Sequence, residues 1–121
     1  MNIAIIENND FYRESLKTAL NQIVDFKVVF ETDHLNSFFQ RLESPDFQII
    51  LLDFCFYQDE NIKRILQLSP ATKILVLSNY DEKYFFENID NTLIDFIPKS
   101  ANKNSLKLKI RKLVTNNIIT F

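Results

Sequence analysis

Glycine is missing from this 121-residue chain. That absence excludes the glycine-rich phosphate loops, whose backbone must approach the ligand closely. It also leaves Asn and Asp to occupy left-handed turn positions. Cysteine occurs once, as Cys55, which rules out an internal disulfide and suits a reducing, cytoplasmic compartment. Long apolar runs are absent. The longest are strand-length, such as residues 49–52, far short of the ~20 residues that cross a bilayer. No basic region or cleavage site precedes the first apolar cluster, so no secretory signal is expected. Excess charge is also lacking: a net charge of −2 gives no electrostatic pull toward nucleic acid or membrane.

Hydrophobic residues make up 46% of the chain and charged residues 25%, the balance of a globular protein with a buried core. The length fits one domain, and residues 1–121 are read as a single unit. Apolar clusters alternate with amphipathic stretches. Ile3–Ile6, Phe26–Phe30, Phe47–Leu52, Ile74–Leu77 and Leu93–Ile97 read as strands. Between them, Tyr12, Leu16, Ala19, Leu20 and Ile23 fall at helical spacing, with Asn9 or Asp10 as N-cap. Leu35, Phe38, Phe39 and Leu42 form a second helical face, ended by the turn at Ser44-Pro45-Asp46. Ile62, Ile65 and Leu66 mark a short helix stopped near Ser69-Pro70, and Asp81–Ile89 a weaker one. Leu106, Ile110, Leu113 and Val114 define the last.

Five βα units in strict alternation predict an α/β fold: a parallel sheet with helices on both faces and right-handed crossovers. The near-continuous apolar run of the third strand suits a central position covered on both sides. In such sheets ligands bind outside the carboxyl ends of the strands. Those ends carry Glu7-Asn8-Asn9-Asp10, then Asp53, then Ser78-Asn79, then Lys99-Ser100. Carboxylates, a hydroxyl and an ammonium are thereby expected on one rim. A carboxylate in such a place is able to hold a phosphoryl group as an acyl phosphate. A cation then offsets charge on the transferring oxygens.

Four segments, in order and at matching spacing, resemble response-regulator receiver domains over nearly the whole chain. They are Ile5-Ile6-Glu7-Asn8-Asn9-Asp10-Phe11-Tyr12-Arg13-Glu14-Ser15-Leu16, Leu51-Leu52-Asp53, Val76-Leu77-Ser78 and Asp95-Phe96-Ile97-Pro98-Lys99. The resemblance implies a doubly wound, flavodoxin-like sheet of strand order 2-1-3-4-5. It implies that Asp53 accepts phosphate from a histidine kinase or phosphotransfer protein. Glu7, Asn8, Asp53 and the backbone carbonyl of Cys55 would surround Mg²⁺. Ser78 would bond the phosphoryl oxygen, Phe96 would rotate into the space Ser78 leaves, and Lys99 would pair with the phosphate or with Asp53. The surface of the helix at 81–89, the fifth strand and the last helix would then change for an output partner or effector domain. A homodimer is a further implied partner.

Several positions depart from the family pattern. Asn8 stands where an acidic pair normally has its second member; it keeps an oxygen and loses a charge, so weaker Mg²⁺ binding is expected. Asn79 is larger than the small residue usual after the switch hydroxyl, and narrower access to Asp53 is expected. Phe56-Tyr57-Gln58 and Asp95 replace residues that shape loops in the family. Lys99 is followed by Ser100 rather than proline, which makes a trans bond the expectation.

Asn8 divides two readings: a phosphorylated switch, and a degenerate receiver that takes no phosphate and serves as a constitutive interaction or dimerisation module. Enzymatic turnover is expected in neither. A flavin binder of similar topology is disfavoured because residues 7–10 would repel phosphate. A phosphatase would want a second acid where Cys55 stands. Cys55 itself is expected to be small and partly buried. His34 has no Cys or His partner and reads as a surface residue. Lys99, Lys103, Lys107, Lys109, Arg111 and Lys112 read as a solvated helix face, since six cations without a reading motif are a weak nucleic-acid footprint.

Overall fold

A computed structural model describes residues 1–41, 46–79 and 93–115. Five parallel strands form one sheet: β1 (Asn2–Ile6), β2 (Lys27–Thr32), β3 (Ile49–Asp53), β4 (Lys73–Ser78) and β5 (Ile94–Pro98). Their order is β2-β1-β3-β4-β5, as expected. Helices α1 (Asp10–Asn21), α2 (Leu35–Arg41), α3 (Asp59–Leu68) and α4 (Lys103–Thr115) connect or follow them. The helix expected over residues 81–89 and the turn at 44–46 fall wholly or partly outside the described residues.

Alternation along the strands decides which helix packs where, because successive side chains point to opposite faces. Ile3, Ile5, Leu51, Leu75 and Leu77 face Leu16 and Leu20 of α1 and Leu106, Ile110 and Leu113 of α4. Ala4, Ile6, Ile50, Leu52, Ile74 and Val76 face Phe38 of α2 and Ile62 and Ile65 of α3. Every residue of β3 is buried, which is why its apolar run is unbroken. Each fully buried Ile or Leu contributes about 1.5–3 kcal/mol relative to exposure. These two layers therefore hold the strand ends in place.

The absence of glycine has a visible consequence. Asp25 takes the left-handed conformation, with φ of 75°, in the turn between α1 and β2. No cis peptide occurs among the described residues, so the Lys99–Ser100 bond is trans. Among those residues, no helix is long and apolar enough to cross a membrane.

In-register pairing aligns the carboxyl ends of the strands. Ile6 pairs with Leu52, Asp53 with Leu77, and Ser78 with Pro98. The residues that leave these ends consequently meet along one edge of the sheet.

Candidate functional site

Four of the five strands each deliver one side chain to that edge. Glu7 follows β1, Asp53 closes β3, Ser78 closes β4 and Lys99 follows β5. Lys99 Nζ lies 2.8 Å from Glu7 Oε1 and 3.3 Å from Asp53 Oδ1, so one ammonium bridges two carboxylates. The Glu7 side chain is fully buried, that of Asp53 9% exposed and that of Lys99 14% exposed. The contact between Lys99 and Glu7 Oε1 is a close ionic one without a directed hydrogen bond.

Backbone donors complete the arrangement. Asn9 N–H donates to Glu7 Oε2 at 2.8 Å, Asn8 N–H to Asp53 Oδ2 at 3.3 Å, and Cys55 N–H to Asp53 Oδ1 at 3.3 Å. The last bond caps a 3₁₀ turn over Phe54–Phe56. Arg13 Nη1 donates to the Glu7 carbonyl at 2.9 Å and pairs with Asp10 at 2.8 Å. The Lys99 ammonium also stands 5.1 Å from the centre of the Tyr12 ring, within cation–π range.

These neighbours split the two carboxyls. Burial raises the Glu7 carboxyl above its ordinary value, against the opposing pull of Lys99 and Asn9 N–H. Burial would raise Asp53 as well. The Lys99 charge, Glu7 and the two backbone N–H groups outweigh it and hold Asp53 below its ordinary value. Desolvation would lower Lys99, yet Glu7 and Asp53 keep it above its ordinary value. Asp53 is therefore an ionised carboxylate at neutral pH.

A cleft of about 510 Å³ opens over this group, lined by Glu7, Asn8, Asn9, Asp53, Asn79 and Lys99 together with Phe54 and Cys55. Ser78 is wholly buried behind it, and the residue after it, Asn79, forms part of the lining. Lys99 N–H donates to the Ser78 carbonyl at 2.6 Å, which ties the two strand exits together. Phe96 is half-buried against the α2/α3 face of the sheet.

Glu7, Asn8, Asp53, Cys55 and Lys99 thus meet at one cleft, with Ser78 beneath it. Cys55 departs from expectation. Its residue is exposed, not partly buried, and lies on the 3₁₀ turn that follows β3. Its thiol is pushed up to about 12, first by desolvation and then by the Asp53 charge. His34 is exposed, as expected. Sequence reading passed over Arg13 and the backbone of Asn9, since neither a guanidinium reaching a main-chain carbonyl nor an N–H donor leaves a compositional signal.

The architecture is that of a known family. A family model for the response regulator receiver domain matches residues 3–111. The chain belongs to that family. Solved receiver domains share its fold. One is the RcsB response regulator of Salmonella typhimurium, from a structure concerned with DNA interaction. It has 18% identity and a TM-score of 0.79, covering 100% of this chain and 62% of that one. Another is the non-phosphorylated receiver domain of RcsB from Escherichia coli, with 19% identity and a TM-score of 0.80, covering 93% of this chain and 92% of that one. The isolated receiver domain of RcsB from Salmonella enterica serovar Typhimurium, in the apo form, has 19% identity and a TM-score of 0.81, covering 93% of this chain and 86% of that one. A search of curated proteins returned no match. This receiver chain spans about three-fifths of the length of the first of these regulators.

The oxygen-only donor set suits a hard divalent cation, which takes one or two carboxylates plus water and phosphate. Among the described residues no cluster of three or more His, Cys, Asp or Glu side chains is present to hold a metal. Glu7 and Asp53 are the two carboxylates that line the receiver's cleft.

Proposed function

We propose that residues 1–121 form a single receiver domain that takes a phosphoryl group on Asp53 from a histidine kinase or phosphotransfer protein. The carrying observation is the Asp53 carboxylate at the edge of an open cleft, 3.3 Å from the Lys99 ammonium. A carboxylate oxygen of Asp53 attacks phosphorus, an acyl-phosphate O–P bond forms, and the donor's P–N bond breaks. The leaving imidazole nitrogen takes up a proton. Lys99 offsets charge on the phosphoryl oxygens and keeps Asp53 deprotonated beforehand.

Glu7, Asp53, the Asn8 side-chain oxygen and the Cys55 carbonyl are the groups that would hold Mg²⁺. When bound, that ion neutralises charge on the phosphoryl oxygens. Ser78 serves as the hydroxyl that moves to the phosphoryl group, and Phe96 as the aromatic that follows it. The output surface then involves β5, α4 and the segment 81–89, and meets an effector domain, a protein partner or a second copy. The protein acts as a signalling module of the cytoplasm, with no turnover beyond Mg²⁺-dependent self-phosphorylation and dephosphorylation at Asp53.

A second reading has its own support. Asn8 removes one negative charge from the cleft, and every oxygen of Glu7 and Asp53 already has a cationic or N–H neighbour. In that reading the domain is a constitutive interaction module. Intact mass after incubation of the full chain with Mg²⁺ and a small phosphodonor, then with a cognate kinase, separates the two. Phosphotransfer predicts gain of one phosphoryl group in the wild type and none in Asp53→Asn. An unchanged wild-type mass with both donors, or gain retained in Asp53→Asn, overturns it.

A further inference from the structure

We infer that copies of this chain join head to tail: Phe11 of one copy, with Asp10 and Glu14 beside it, enters the cationic groove between α1 and α4 of the next. The contact uses neither Asp53 nor Lys99, so it stands whether or not the chain takes a phosphoryl group.

Two patches carry the inference. Phe11 is 85% exposed and Val24 77%, the two most exposed large apolar side chains among the described residues. Isolated apolar residues on a surface are ordinary. These two are set apart by what surrounds them. Asp10 adjoins Phe11 at the start of α1, and Glu14 follows one turn along on the same face. Asp10 is exposed, while its partner Arg13 turns inward to the Glu7 carbonyl. Glu14 is exposed and has no ion-pair partner among the described residues.

Val24 sits in the opposite setting. With Ile23 it lines a groove of about 440 Å³ that is walled by Lys103, Lys107 and Arg111 of α4. These three recur every four residues, so they share one helix face. Lys103 Nζ donates to Gln22 Oε1 at 3.0 Å, and Arg111 stands 5.4 Å from the centre of the Phe26 ring. None of the three has an acidic partner among the described residues.

The whole chain is polarised in the same sense. Residues 99–121 hold six cations and no Asp or Glu, so the net charge of −2 leaves −8 on residues 1–98. An apolar knob flanked by carboxylates therefore matches an apolar notch flanked by cations. One copy cannot satisfy itself. Phe11 opens α1 and Val24 lies past its end, about 20 Å away at 1.5 Å of rise per residue. Because the two patches differ, the contact is heterologous and extends to a third copy instead of closing as a symmetric pair.

Sedimentation velocity of the full chain over a range of concentrations tests this. The wild type is expected to grow beyond a dimer as concentration rises, and to dissociate as salt is added. Phe11→Ser removes the knob, and Lys103→Glu with Lys107→Glu reverses the groove. Each is expected to weaken association by about tenfold or more. Both alter surface positions, and circular dichroism checks that the variants are folded. An equimolar mixture of the two variants is expected to form a one-to-one pair and nothing longer, since it holds one intact groove and one intact knob per pair. A wild type that stays monomeric, association unchanged by either variant, or a mixture that fails to pair overturns the inference. A monomeric wild type that binds a short DNA duplex through Lys103 and Lys107 overturns it in favour of a nucleic-acid partner.

Discussion

Asn9 holds Glu7 and starts α1 at the same time: its backbone N–H donates to Glu7 Oε2 at 2.8 Å, and its side-chain oxygen accepts from Tyr12 N–H at 2.8 Å. The first turn of a helix leaves backbone donors unsatisfied, and a short polar side chain at the N-cap fills one of them. The loop that caps the helix is consequently the loop that aims the buried carboxylate.

Asn9→Ala should cost about 1 kcal/mol of stability, the usual price of a lost N-cap. The loss should appear as a lower urea midpoint with an unchanged slope. Asn9→Ser keeps a capping oxygen and should recover most of it. A midpoint unchanged by Asn9→Ala would show that the cap contributes nothing to the fold.

Lys99→Met removes the only cation within ion-pair distance of Glu7 and Asp53 among the described residues. An unpaired buried carboxylate is costly, and a loss of about 3 kcal/mol is expected in chemical denaturation. Combining it with Glu7→Gln removes the stranded charge and should return much of that loss. Additive penalties in the double variant would argue that packing of the lysine stem, not charge, dominates.

Acid should act on the two carboxyls with opposite sign. Glu7 has a raised folded value, so its ionised form is penalised by folding. As pH falls toward the ordinary 4.5, proton uptake relieves that penalty and adds stability. Asp53 has a lowered folded value, so its stabilising contribution is present above the ordinary 3.8 and is lost as pH falls through the lower folded value. Urea midpoints measured against pH should therefore lose the upper limb in Glu7→Gln and the lower limb in Asp53→Asn. Identical profiles for wild type and both variants would contradict this assignment.

Much of this molecule was legible in one dimension. Strand alternation, the unbroken apolar run of β3 and the i, i+4, i+7 spacing of Leu106, Ile110 and Leu113 are local signals of burial, and they placed all five strands to within a few residues. The βα alternation then put Glu7, Asp53, Ser78 and Lys99 at the same end, since parallel strands all point one way. Asp25 at a left-handed position follows from the absence of glycine.

Distances between those residues were not legible, because they depend on register and on where long side chains find partners. Nothing local says that an ammonium contributed by β5 rests on Glu7 more closely than on Asp53, or that Ser78 is sealed while Asn79 lines the cleft. The exposure of Cys55 likewise depends on a 3₁₀ turn capped by Asp53 itself. Sequence determined which chemical groups share the rim, through periodicity and strand direction. Tertiary packing alone decided which of them touch, because burial removes water as a competitor and leaves each charge to the nearest partner the backbone permits.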